Sequence, residues 1–190
     1  MATLYVVDMD DTLLRTNTRV RVTRVDGTTV RYNSQQYKSY VRQPGDQVDY
    51  SEFTDPERLM LTSKPVKRVV AWMRALVLGP GSRLVIVTGR ESTIGIGWIV
   101  AALAKHGVVV RLRDVFAVGT ATLGTVPELK AGLVVNLSRS YDRVEMVDDS
   151  VANLDAFLTT MRRVCPSVTA TAVHVDQLGQ MRPYHTAPNN

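Results

Sequence analysis

Asp8 and Asp10 stand two residues apart at the end of a four-residue apolar run, Leu4-Tyr5-Val6-Val7. On extended backbone that spacing turns both carboxylates to one face. Such a pair suits divided labour, with one carboxylate meeting an electrophile while the other carries a proton. A second apolar run, 83–87, ends in Thr88-Gly89-Arg90, and a third, 144–147, ends in Asp148-Asp149-Ser150. Taken singly, Asp10, Asp11 or Thr12, and equally Asp149 or Ser150, would serve as ordinary helix N-caps. Three runs that each release polar groups at the carboxyl end point to a ligand site, because open α/β sheets bind ligands there. Carboxylates gathered in this way repel one another and raise their pKa values. A divalent cation relieves the conflict, and an oxygen-only ligand set calls for Mg²⁺. The Thr88 hydroxyl and neighbouring backbone N–H groups are then placed to hold phosphoryl oxygens.

The elements needed to position these groups alternate along the chain. Lys64-Pro65 opens a helix with Pro65 at its first position, Val66, Val69, Val70, Met73, Leu76 and Val77 inward, and Gly79-Pro80-Gly81 as its stop. Trp72 belongs to the same packing. Helices are expected over 92–105, closed by Gly107, over 127–137 with Lys130 in the first turn, and after Ser150. A lysine in a first turn opposes the helix dipole, which singles Lys130 out; Lys105 and Arg113 are rival cations. Strands are expected over 108–112, 115–118 and 168–175, and a loose tail over 182–190. Strand and helix in this rhythm make an α/β, three-layer, Rossmann-like fold with a mainly parallel sheet.

One segment breaks the rhythm. Residues 15–63 form an insertion after the first strand, opening with an alternating hairpin, 19–32, around the Asp26-Gly27 turn. Its first part, 15–42, carries seven basic residues against one acid; 46–57 carries five acids and no base, beyond the Pro44-Gly45 turn. The basic hairpin is either a phosphate-attracting lid or an edge strand kept soluble by its arginines.

The 190 residues suit a single domain, with 45% hydrophobic residues and a formal net charge of +5. That charge favours anionic partners, a phosphorylated small molecule or a nucleic-acid end. Cys165 is the sole cysteine, so no disulfide framework exists, and Cys165 itself is a packing residue. Neither a signal peptide nor a membrane-length apolar stretch is present, and a soluble, cytoplasmic protein is expected. No Walker loop or G-x-S-x-G elbow occurs, and Gly95-Ile96-Gly97 lacks the third glycine of a dinucleotide site.

With Asp8-Met9-Asp10-Asp11-Thr12, Thr88-Gly89-Arg90, Lys130 and Asp148-Asp149, the chain resembles the haloacid dehalogenase (HAD) superfamily of phosphohydrolases. The resemblance implies that Asp8 forms an aspartyl-phosphate and that Asp10 acts as acid, then base. It implies Mg²⁺ held by Asp8, the Asp10 carbonyl and Asp149, with Asp148 helping through water. Thr88 would bind the phosphoryl group, Thr12 and Gly89 would help bind the substrate, and Lys130 would offset charge on the nucleophile and phosphate. The insertion stands where this superfamily places its cap. The chain is also similar to small phage-encoded HAD proteins, and to the phosphatase domain of phage polynucleotide kinase-phosphatase. That last resemblance implies that Arg19 and Arg90 bind a 3′-phosphate, in host cytoplasm if the protein is phage-encoded. A Mg²⁺-dependent phosphatase acting on a nucleotide or polynucleotide 3′-phosphate is therefore expected. The alternatives are a small-metabolite or 5′-nucleotide phosphatase, and a catalytically idle nucleic-acid-binding module.

Overall fold

The alternation of Leu4 and Val6 against Tyr5 and Val7 lets β1 (Thr3–Val7) pack on both faces at once. The computed structural model describes residues 1–119 and 124–186. In chain order, β1 is followed by β2 (Leu14–Arg15), β3 (Val20–Thr23), β4 (Thr29–Tyr32), α1 (Ser34–Lys38), β5 (Gln47–Asp49), α2 (Pro56–Thr62) and β6 (Lys64–Pro65). Then come α3 (Lys67–Ala75), β7 (Arg83–Glu91), α4 (Ile96–Lys105), β8 (Val115–Gly119), α5 (Val126–Ser138) and β9 (Arg143–Asp148). The last elements are α6 (Val151–Val164), β10 (Thr169–Val175) and β11 (Met181–Tyr184).

The fold is α/β, with a six-stranded central sheet in the order β11-β10-β9-β1-β7-β8. Every pairing is parallel except that of β10 with β11. Val7, Ile86, Val147 and Val175 share one core with Leu59, Val69, Val70, Ile99 and Leu103 of α2, α3 and α4. Leu4, Val6, Val85, Val144 and Met146 share the other with Val134, Leu154, Phe157 and Met161 of α5 and α6. Both faces are thus covered, and β1 lies between β9 and β7, so the three chemistry-bearing strand ends are neighbours.

Residues 15–63 build a separate three-stranded antiparallel sheet, β4-β3-β5, with the short helices α1 and α2. The basic and acidic zones of the insertion pair with each other: Arg21 with Asp49 and Arg31 with Glu52, while Arg58 meets Glu52 at 3.1 Å. The strand order puts β3 at the centre of this sheet and leaves β4, the other strand of the hairpin, at an edge with Arg31 exposed.

Several local expectations fail. Lys64-Pro65 pairs with β2 as a strand, and α3 starts only at Lys67, because Val66 donates its N–H to the Leu13 carbonyl at 2.9 Å. That helix ends at Ala75, leaving Val77 88% exposed. Residues 108–111 form no strand: Gly107, at φ 75°, is followed by irregular backbone and a 3₁₀ turn, Leu112–Asp114, before β8. The expected tail is wrong over 182–184, which extend β10 as the antiparallel edge strand β11; 187–190 lie outside the described residues. None of the described helices is long and apolar enough to cross a membrane.

Candidate active site

The floor of the site follows from register. Val7 pairs with Val147 on one side and Ile86 on the other, so Asp8, the first residue past β1, stands beside Asp148, the last residue of β9. Asp8 donates its N–H to the Val147 carbonyl at 2.9 Å and is 4% exposed, while Asp148 is fully buried. Lys130 reaches them from α5, whose start is secured by Glu128 accepting from the Thr125 N–H at 2.9 Å and hydroxyl at 2.8 Å. The Lys130 ammonium donates to Asp8 Oδ1 at 2.5 Å and to Asp148 Oδ2 at 2.8 Å. Asn153, in the first turn of α6, donates to both oxygens of Asp148 at 3.0 Å, and the Ser150 N–H adds a third donor at 2.8 Å. Asp148 thus accepts from three donors, and the lysine singled out by its odd helical position is the one that meets both Asp8 and Asp148. Lys105 instead donates to the Met60 carbonyl at 2.5 Å.

Asp8, Asp148 and Asp149 each present a carboxylate oxygen within 4.8 Å of the others. Burial pushes Asp8 well above the usual carboxylate range; Asp148 and Asp149 add to that, and Lys130 opposes it. Burial works against the Lys130 ammonium too, but Asp148 and Asp8 outweigh it and hold its pKa above the lysine range. Asp149 is pushed up to about 6, chiefly by burial, against the pull of Lys38. Three crowded carboxylates with only oxygen donors match the requirements of a hard divalent cation. Magnesium fits this donor set, with Asp8, Asp148 and Asp149 as the residues to hold it.

Asp10 faces a different partner. The β7–β8 register shifts between Thr88 and Glu91, a bulge that sends both Thr88 and Arg90 toward the loop after β1. This bulge needs glycine beside it, since a Cβ on Gly119 would lie 2.1 Å from the Gly89 carbonyl oxygen. Arg90 grips Asp10 with Nε at 3.2 and 3.0 Å and Nη2 at 2.8 Å. Its Nη1 donates to the Phe53 carbonyl at 2.7 Å, and its side chain is 0% exposed. Thr88 donates to Asp10 Oδ2 at 3.3 Å and accepts from the Arg90 N–H at 3.2 Å. Sequence reasoning aimed Arg90 at a substrate phosphate; all its side-chain nitrogens point instead into protein. It ties Asp10 of the central sheet to Phe53 of the insertion.

The loop between these acids is tight. Leu13 and Leu14 both donate to the Met9 carbonyl at 2.9 Å, and Asp11 takes φ 62°, a left-handed conformation that aspartate tolerates. No helix starts here, so Asp10, Asp11 and Thr12 cap nothing. Thr12 instead accepts from the Asp149 N–H at 3.0 Å and donates to its carboxylate at 3.5 Å, joining the first and third strand ends.

Above the floor sits α1, where sequence reasoning saw no helix. Lys38 donates to Asp149 Oδ2 at 2.5 Å, Gln35 donates to the same oxygen at 3.2 Å, and Ser34 donates to Asp11. His174 approaches the Asp149 carbonyl at 3.2 Å. A cleft of about 320 Å³ opens beside α1, lined among others by Asp11, Arg15, Arg19, Ser34, Gln35 and Asp149. Arg19 lines it from a backbone tied to Glu52 at 2.9 Å. Asp8 and Asp10 are not among the lining residues. The basic composition of 15–42 was the one sequence signal for Lys38; Ser34, Gln35, Asn153 and His174 had none.

No family model matches the sequence, and no curated protein matches it. Among solved structures, the HAD domain of effector protein Lem4 from Legionella pneumophila is similar at 13% identity and TM-score 0.47, over 94% of this chain and 88% of that one. An inactive mutant of the same domain gives 12% identity and TM-score 0.46, over 93% and 87%.

Proposed function

We propose that the chain is a Mg²⁺-dependent phosphatase that works through an aspartyl-phosphate at Asp8. The supporting observation is the buried cluster of Asp8, Asp148 and Asp149 around Lys130, at the carboxyl ends of adjacent parallel strands. Lys130 and Asn153 hold the acids in place, and Lys130 opposes the protonation of Asp8 that burial favours and fixes its carboxylate for attack. Bound there, Mg²⁺ would supply positive charge against the carboxylates and the phosphoryl oxygens.

In the first step an Asp8 oxygen bonds to phosphorus, the ester P–O bond breaks, and Asp10 protonates the departing oxygen. Water then attacks the aspartyl-phosphate, Asp10 takes its proton, and Asp8 leaves as a carboxylate with release of phosphate. In this reading Thr88 would contact the phosphoryl group and the Asp10 carbonyl would join the metal ligands. For the proton steps Asp10 must turn from Arg90, so Arg90 is a positioning residue. Arg15 and Arg19, which share the cleft lining with Asp11, Asp149 and Asp176, are the groups that an anionic occupant would meet. A nucleotide or a polynucleotide 3′-phosphate is the class we favour. The cleft volume, at the lower end of ligand pockets, equally supports a small phosphorylated metabolite or 5′-nucleotide.

The grip of Arg90 on Asp10 favours a second reading, a module that keeps the fold and binds nucleic acid without turnover. Hydrolysis of an aryl phosphate separates the two. Mg²⁺-dependent release of phosphate by the wild-type chain, lost in Asp8→Asn with the fold retained, supports the phosphatase. Wild-type rates in Asp8→Asn overturn the aspartyl-phosphate. A panel of 3′- and 5′-phosphorylated oligonucleotides, nucleotides and sugar phosphates then ranks the substrate classes.

A further inference from the structure

Lys38 belongs to the insertion, yet its ammonium lies 2.5 Å from Oδ2 of Asp149, one of the three carboxylates of the candidate metal cluster. Asp149 is nearly enclosed, its side chain 6% exposed, while that of Lys38 is 38% exposed. We propose that Lys38 is an internal counter-ion that a divalent cation displaces, and that its release lifts α1 from the site. This rests on the reading that the cluster takes a divalent cation.

Charge supports the exchange. Asp8, Asp148 and Asp149 face two ammoniums, Lys130 and Lys38. A divalent cation added to both would leave the cluster net positive; with Lys38 gone, the charges cancel. A Mg²⁺–oxygen distance of about 2.1 Å would put a metal on that same Oδ2 of Asp149 no more than about 5 Å from the Lys38 ammonium. Lys130 cannot be the one to leave, because it is 2% exposed and held between two buried acids.

The attachment of α1 supports the movement. Its five residues include none that is buried, so lifting it uncovers no core. What ties it to the acids is polar, Ser34 on Asp11 and Gln35 and Lys38 on Asp149, while Tyr37 packs on Tyr40 and Tyr50 within the insertion itself. Two of those three polar contacts end on Asp149, a carboxylate of the candidate metal cluster. Ser34 and Gln35 also line the cleft, which reaches Asp149 but not Asp8. Loading the cation and opening the way to Asp8 are therefore one event.

The test uses the full chain and Lys38→Met, with Mg²⁺ titrated by calorimetry and amide hydrogen exchange followed over residues 34–38. Lys38→Met should bind Mg²⁺ about tenfold more tightly, within the usual range for coupled ligands. In the wild type, Mg²⁺ should speed exchange over 34–38; in the variant, exchange should be fast already and unmoved by Mg²⁺. Equal affinities overturn the displacement, and tighter binding without any change over 34–38 reduces it to a remote charge effect and overturns the lifting. Absence of Mg²⁺ binding in both proteins removes the underlying cation reading itself.

Discussion

The acid floor of the central sheet and the small sheet of the insertion use the same residue types to opposite ends. At the floor, Asp8 is enclosed, and burial and like charges hold its pKa high despite Lys130. In the insertion, Asp46 is held below the carboxylate range by the Tyr40 hydroxyl and the Gln43 N–H, and Asp49 by the Ser51 N–H. Dehydration governs the first region and hydrogen-bond donors the second. Carboxylates kept in conflict can bind a cation or attack an electrophile; satisfied ones stabilise a hairpin. The insertion does the second for itself and, through Lys38 and Phe53, touches the first.

That contrast can be broken by substitution, beginning with the largest effect. Asp8→Asn should lower aryl phosphate turnover by roughly 10³-fold or more, as loss of a nucleophile does, while the circular dichroism spectrum is unchanged. Next, Lys130→Met leaves two buried carboxylates without their cation and should cost about 3–5 kcal/mol of unfolding free energy in urea titrations. Arg21→Ala, at an ion pair whose arginine side chain is 58% exposed, should cost about 0–1 kcal/mol in the same measurement. Similar costs for the two would show that the floor is not dehydrated.

pH sharpens the comparison further. A carboxyl whose pKa is raised on folding adds stability below its unfolded value, and that stability is lost as pH rises through the folded value. Without metal, the protein should therefore gain a little thermal stability from pH 7 to pH 5, as Asp149 protonates at about 6. Asp46 and Asp49 have the opposite sign. They stabilise at neutral pH, and their contribution should fall away below about pH 4, seen as earlier melting of the insertion by hydrogen exchange. Mg²⁺ should stabilise more at pH 7.5 than at pH 5.5, because protons and the cation compete for the same oxygens.

Much of the site was legible because it depends on short-range order. The apolar runs before Asp8, Thr88 and Asp148 are buried strands, and Lys130, marked by its odd place in α5, is the cation that meets Asp8 and Asp148. What misled the reading was also local: Pro65 looked like a helix start, but the Leu13 carbonyl recruited Val66 and made β6. The run 108–112 had strand composition without a neighbouring strand to pair with. Pairing partners are a property of the folded sheet, not of the segment.

By itself, the order of residues determined which groups stand at strand ends and on which face, since that follows from backbone period alone. Only the tertiary structure decided their partners. Asp10 went to Arg90, eighty positions away, through a bulge that nothing in the chain announces, and Asp149 to Lys38, one hundred and eleven away. Such contacts depend on how sheet, bulge and insertion stack in space, and charge pairs form wherever that stacking leaves carboxylates short of water.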